Sequence, residues 1–325
     1  MDDRELLVRL SAGGVSGDAL ARAAGITRAA VWKRIRGLRA AGVEILARPG
    51  QGYVLAHAPD LLEAARLRAA LPAGLLDPQD TLEVAWSLDS TNSELLRRPP
   101  PAGVSVLLAE RQTAGRGRLG RAWASPLGAQ VCMSVRRGFD GGLARLGGLS
   151  LVAGVAVAEA LRGLGCAQVG LKWPNDLVAG GRKLAGLLVE GGGEHGGPVH
   201  AVVGIGINVR LPATVGADID QPWTDLARLS GGRAPPSRQA VAAAVLAALL
   251  PALAGFDRDG LAPFLPRYAA LDALAGREVR VMAGHAACSG RVLGLTADGA
   301  LRVDAGSGEG GERVFHAGEV SVRPQ

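Results

Sequence analysis

Between Thr81 and Phe256, strand-length apolar runs alternate with two long apolar stretches, and this alternation limits the fold more than any other feature. Thr81–Trp86, Val104–Glu110, Val131–Val135, Val169–Trp173, Leu184–Glu190 and His200–Val209 read as strands. Gly148–Gly163 and Ser237–Gly255 read as helices, the first carrying Leu149, Val152, Ala156, Glu159 and Leu161 among small residues. Strands interleaved with helices predict a mixed sheet with helices packed against it. Ala240–Phe256 carries no charge, but alanine dominates it and Pro251 and Gly255 interrupt its end. It fits a buried helix better than a membrane span.

The flanks have different textures. Ser16–Ala24 can form a short helix that Gly25 ends, and Thr27 can cap a second helix from Arg28 to about Ala40. Val31, Ile35 and Leu38 make one apolar stripe on that second helix, with Arg28, Lys33, Arg36 and Arg39 off the stripe. Apolar runs on either side of Arg48–Gly52 predict a hairpin wing. Helix, glycine turn, basic helix and wing make a winged helix-turn-helix, with Thr27, Arg28, Lys33, Arg36 and Arg48 as candidate DNA contacts. A small helical packing domain with a basic exterior is the alternative. From about Gly276, short β-like runs with a turn at Asp298-Gly299 and a loose loop over Gly306–Gly311 predict a small β-barrel. The expected division is 1–60, 61–272 and 273–325 in an α+β multidomain chain of 325 residues.

Charge is uneven in a way that bears on partners. Residues 1–56 hold nine basic and five acidic side chains, so +4 of the chain's net +6 lies there, which suits a polyanion partner as well as a solvated basic face. Cys132, Cys166 and Cys288 are scattered, and the five histidines do not cluster. A reducing cytoplasmic setting without structural zinc is expected, and MDDRELLVRL has no signal-peptide character.

Two clusters carry chemistry. Four arginines and three glycines fall between Arg111 and Arg121, directly after the strand Val104–Glu110. The glycines let the backbone fold over something held at the strand end, and guanidinium groups suit phosphate or carboxylate. Empty, such a loop is expected to repel itself and move. Of 36 lysines and arginines only Lys33, Lys172 and Lys183 are lysines, and two of these lie within LKWPNDLVAGGRKLAGLLVE. In a chain that favours arginine, this points to a compact ammonium being needed there, although Lys183 could be an ordinary edge-strand residue. Asn175 and Asp176 suit a turn after Pro174, and Asp176 is a candidate metal carboxylate. Ser90, Thr91 and Asn92 could hold a ligand or simply cap the helix that follows. No nucleophile–histidine set is present, so the clusters suit transfer at phosphorus by positioning and charge stabilisation.

DSTN (Asp89–Asn92), QTAGRGRLGRAW (Gln112–Trp123), KWPND (Lys172–Asp176), RKLAGLLVE (Arg182–Glu190), GIGINV (Gly204–Val209) and the closing GEVSVR (Gly318–Arg323) occur in one order. In that order they closely resemble the biotin–protein ligases. TRAAVWKRIRGLRAAGV ahead of them resembles the DNA-binding domain of the bifunctional members, which also repress a biotin operon. The resemblance implies a class II synthetase-like catalytic domain and an SH3-like C-terminal barrel. It implies ATP and Mg²⁺ as cofactors, and biotin, a biotin carboxyl carrier domain, operator DNA and a second copy of the chain as partners.

Carried over by motif, Ser90, Thr91, Asn92, Gln112, Gly115, Arg116, Lys183 and Gly186 would hold biotin. Gly117 would belong to the closing loop. Arg118, Arg121, Trp123, Lys172, Asn175, Asn208 and Trp223 would serve the nucleotide, with Asp176 at the metal. Lys183, Arg118 and Arg116 would be catalytic. Leu119 departs from the pattern, where arginine is common in the bifunctional forms, and puts loop ordering in question. A lipoate-ligase relative and a ligand-sensing transcription factor without ligase activity are the alternatives.

Overall fold

Side-chain caps start each of the first three helices. Asp2 opens α1 (Asp3–Ser11) in a reciprocal box with Glu5, Ser16 caps α2 (Gly17–Ala24), and Thr27 caps α3 (Arg28–Ala40). Gly25 ends α2 at φ 64°, a left-handed conformation that glycine adopts without a Cβ penalty. Val31, Ile35 and Leu38 of α3 are buried against Leu20 of α2 and Leu6, Leu7 and Leu10 of α1. α1 has no counterpart among the expected elements; its leucines complete a core that α2 and α3 do not close alone. The wing is an antiparallel hairpin of β1 (Ile45–Arg48) and β2 (Gly52–Leu55).

The computed structural model describes every residue except 141, 194–198, 217, 218, 220, 284, 285, 307–310, 319 and 325. Most of the expected loop between Gly306 and Gly311, and one position of GEVSVR, therefore lie outside the described residues.

After α4 (Ala64–Ala70) the chain builds a seven-stranded sheet. Its elements are β3 (Thr81–Ala85), α5 (Thr91–Arg97), β4 (Ser105–Ala109), β5 (Gln130–Phe139), α6 (Leu149–Gly163), β6 (Gly170–Lys172), β7 (Asp176–Ala179), β8 (Arg182–Gly193) and β9 (Val199–Asn208). The strand order is β3-β4-β5-β9-β8-β7-β6, with β3 and β4 parallel and the other neighbours antiparallel. The mixed sheet is as expected, but Asp176 opens a strand that the turn reading of Asn175–Asp176 does not contain.

Two single turns follow, α7 (Ala213–Gly216) and α8 (Leu226–Leu229), before α9 (Arg238–Asp259) returns to pack with α6 on one face of the sheet. Leu143–Gly163 and Arg238–Asp259 are long and apolar enough to cross a membrane, and packing accounts for their composition: Val152, Val155, Leu161, Val245, Leu246 and Leu249 are fully buried. Side chains alternate along a strand. Met133, Ile205 and Leu187 therefore join the helices' core, while Ser134, Gly204, Gly206 and Gly186 face the other way, where α5 lies.

Beyond α10 (Leu265–Ala269), a five-stranded antiparallel sheet stands where the small barrel is expected. It comprises β10 (Glu278–Ala283), β11 (Ala286–Leu295), β12 (Leu301–Asp304), β13 (Glu312–Phe315) and β14 (Val320–Pro324), in order β13-β12-β11-β10-β14. Val279, Val281, Val292 and Val303 continue the central core without a break. The buried Trp173 Nε1 donates to Gly299 O at 3.1 Å, locking this unit to the KWPND segment.

Candidate functional site

Three glycines make the floor of the site. On the face opposite α6 and α9, Gly186 of β8 pairs with Gly206 of β9, and Gly204 lies two residues away on the same face. A Cβ on Gly206 would meet Trp123 at 2.6 Å, one on Gly204 would meet Asn92 Oδ1 at 2.3 Å, and one on Gly186 would sit 3.2 Å from both Trp123 and Lys183. Trp123 therefore lies directly on bare backbone, and its buried Nε1 makes no well-formed hydrogen bond among the described residues. Side chains larger than hydrogen would fill this floor.

A polar network lines one end. Ser90 caps α5 with its side chain. Thr91 donates from N and Oγ1 to Gln112 Oε1, at 2.8 and 3.1 Å. The single Ser134 Oγ proton is shared between Thr91 Oγ1 and Asn92 Oδ1. Asn92 Nδ2 donates to Leu188 O and to Glu190 Oε2 at 2.8 Å. Asn92 is thus a brace of the pocket wall, with both ends of its amide engaged. Ser134 and Glu190 have no place among the expected residues; Ser134 is indistinct in an apolar run, and Glu190 ends one.

The arginine loop is folded, its backbone bonded to Leu88, Asp89 and itself. Thr113 N donates to Leu88 O, Ala114 N to Asp89 O, Trp123 N to Gly115 O and Gly117 N to Arg121 O. Its guanidinium groups diverge. Arg116 bonds Glu190 Oε2 and Ser93 Oγ, each at 3.0 Å. Arg118 reaches Asn175 Oδ1 at 3.3 Å, Gly318 O at 2.6 Å, and Ala317 O. Arg121 is exposed at the tip. Gly115 has no room for a Cβ, which would meet Trp123 O at 2.7 Å. Leu119 holds φ 56°, the sole non-glycine at positive φ among the described residues.

The second cluster converges on this loop. Lys183 Nζ lies 2.7 Å from Asp176 Oδ1 and 5.7 Å from the centre of the Trp123 ring. Both side chains are largely buried, at 18% and 16% exposure, so Lys183 is not an ordinary edge-strand lysine. The contact to Asp176 Oδ1 is an ion pair without hydrogen-bond alignment. Burial pushes Lys172 below the usual ammonium range; Asp176 opposes this, while Lys183, Arg323 and Arg121 add to it. Burial also lowers Arg118. Several cations crowd one carboxylate, an arrangement that an added anion would relieve. Asn175 is fixed by Nδ2 to Leu187 O at 2.8 Å.

Two expected nucleotide residues stand at the far end of β9. Asn208 is buried, accepting from Gln130 Nε2 at 2.8 Å and donating to Thr224 O at 3.0 Å, so it holds the following segment. Trp223 donates to Gly216 O at 2.8 Å, and the Arg228 guanidinium lies 3.7 Å over its ring. Pro222 and Thr224 bond the backbone of Lys183, which brings Trp223 beside the Lys183–Asp176 pair.

The DNA candidates form a separate face. Arg28, Lys33, Arg36 and Arg48 are exposed, and Thr27 is engaged as the α3 cap. α3 carries no acid, and Arg28 has one loose ion pair with Asp18, at 3.7 Å.

Comparison with known proteins follows the same division. The biotin/lipoate A/B protein ligase family profile matches residues 84–208, a helix-turn-helix profile 4–54, and the biotin protein ligase C-terminal domain profile 275–323. The bifunctional ligase/repressor BirA of Escherichia coli is 37% identical over 98% of this chain and 96% of its own length. A biotin–[acetyl-CoA-carboxylase] ligase of Paracoccus denitrificans is 36% identical over 71% of this chain and 96% of its own. The biotin protein ligase of Aquifex aeolicus, solved with biotin and ATP, superposes with a TM-score of 0.63 at 29% identity, over 75% of this chain and 99% of that one. With a helix-turn-helix at one end, a glycine-floored site under an arginine loop at its centre, and these relatives along nearly its whole length, the chain belongs to the bifunctional biotin ligase/repressor family.

Proposed function

We propose that the chain activates biotin with ATP, transfers it to a lysine of a biotin carboxyl carrier domain, and binds operator DNA as a homodimer when the adenylate is bound. The carrying observation is the placement of Lys183, desolvated beside Asp176 and Trp123 over the notch at Gly186 and Gly206. In this reading biotin's carboxylate attacks the α-phosphorus of ATP and pyrophosphate leaves. The carrier amine then attacks the acyl carbon and AMP leaves.

Lys183 stabilises charge on the carboxylate and α-phosphate, in a site dry enough for that charge to count. Thr91, Gln112 and Ser134 offer the hydrogen-bond ends for biotin's ureido group, and Arg116 closes over it. Lys172, Arg118 and Arg121 hold phosphates, and Trp123 and Trp223 flank the adenylate. The folded loop excludes water from a hydrolysable anhydride and opens for the carrier.

Among the described residues no three His, Cys, Asp or Glu side chains converge. Mg²⁺ would therefore rest on Asp176 and on phosphate oxygens, a donor set that suits it. When bound it would neutralise phosphate charge. We take 1–60, 61–272 and 273–325 as the three domains, each with its own sheet, and the cytoplasm as the setting.

Pyrophosphate release and mass detection of an acyl-adenylate, with biotin and lipoate offered separately, test this reading. A biotin adenylate alone supports it. A lipoyl adenylate, or none from either acid, contradicts it.

A further inference from the structure

Trp32 is the bulkiest of the exposed apolar side chains among the described residues, at 53% exposure, and it stands outside the buried core. The stripe that buries α3 is already complete in Val31, Ile35 and Leu38, each about 1% exposed. Trp32 lies on the outer arc of the helix, one turn after Arg28 and one turn before Arg36, with Lys33 beside it. The Arg36 guanidinium stands 5.5 Å from its ring centre. An aromatic surface framed by cations, on a helix with no acid, is complementary to a polyanion that also presents something apolar.

We infer that Trp32 reads sequence in the major groove of duplex DNA, its indole packing on the C5-methyl group of a thymine while Arg28, Lys33 and Arg36 hold phosphates or neighbouring base edges. The inference rests on the DNA-binding reading above and deepens it. Base-pair edges in the major groove display hydrogen-bond donors and acceptors, and one apolar group, the thymine methyl. Indole has a single donor and no acceptor, so its broad face is suited to that methyl and to little else on those edges. The flanking cations set affinity and register, and the indole sets preference at one position.

The test uses the full-length chain with biotin, ATP and Mg²⁺, selecting bound duplexes from a random-sequence pool. Wild type is expected to enrich a site with a fixed thymine. Trp32→Ala is expected to lose preference at that position by about tenfold while keeping the other positions and the salt slope. Replacing that thymine with deoxyuridine, which lacks the methyl, should weaken wild type to the same extent and leave Trp32→Ala unaffected. Unchanged biotin ligation and melting temperature in Trp32→Ala exclude misfolding as the cause. An identical enriched site for both proteins overturns the inference about Trp32 alone. No enrichment by wild type overturns the DNA-binding reading with it.

Discussion

The Glu190 carboxylate joins the arginine loop to the pocket wall: Oε2 accepts from Arg116 at 3.0 Å and from Asn92 at 2.8 Å. Arg116 is thereby set over the pocket before any ligand arrives, and positioning of that kind lowers the cost of binding. Glu190→Gln should raise the KM for biotin by about tenfold, the size of one charge-assisted hydrogen bond, with kcat little changed. Steady-state kinetics separate this from a purely structural role, which would lower the melting temperature and leave KM alone.

Gly206 supports Trp123 by having no side chain. In Gly206→Ala the new methyl would stand 2.6 Å from the indole, so the ring must lift or the strand must shift. Overpacking of this kind costs about 1–3 kcal/mol. Adenylate formation should fall by more than tenfold while the secondary structure persists, as followed by pyrophosphate release and circular dichroism.

Lys172 gives a pH dependence. Its folded pKa lies below the ordinary lysine value because burial disfavours the ammonium. The empty protein therefore binds fewer protons than the unfolded chain as pH falls toward that ordinary value, and stability rises with pH through the interval between the two pKa values. A bound triphosphate restores the ammonium. Nucleotide binding at alkaline pH should take up a proton, and affinity should fall as pH rises through the lowered pKa. Calorimetry in buffers of different ionisation enthalpy measures that uptake, and Lys172→Met should abolish it.

A buried ion pair at the root of the loop holds the segment Asp60–Leu62 in place. Arg238 Nη1 lies 2.6 Å from Glu110 Oε2 and also donates to Asp60 O, while Leu62 N donates to Glu110 Oε1. Arg238 and Glu110 are 2% and 0% exposed as side chains. Removing one partner strands the other charge, so Arg238→Met should cost about 3–5 kcal/mol, whereas the double change Glu110→Leu with Arg238→Met should recover much of it. Denaturant unfolding of the three proteins checks the cycle.

Local periodicity made much of this legible. The stripe Val31, Ile35, Leu38, the glycine stop at Gly25 and the Thr27 cap are all local, and the structure has each where the sequence puts it. The lysine bias likewise pointed to Lys183, because its burial beside Asp176 has a compositional trace. Long-range pairing left no such trace. Glu190 meets Arg116 across 74 residues, and Ser134 meets Asn92 across 42, because the order of β5, β9 and β8 brings their ends together. The loop's partners were hidden for the same reason: counting arginines between Arg111 and Arg121 gives repulsion, but their partners at Glu190, Asn175 and Gly318 come from distant elements. Leu119 was noticed as a lost charge, and the structure adds a positive φ that leucine adopts at a cost of about 1–2 kcal/mol.

Lys183 is the most direct test of the account. In Lys183→Ala, single-turnover formation of biotinyl adenylate should fall at least about a hundredfold, the scale for losing one preorganised charge-stabilising group, while biotin still binds within about tenfold of wild type. Adenylate formed at the wild-type rate would remove Lys183 from the chemistry and contradict the central claim.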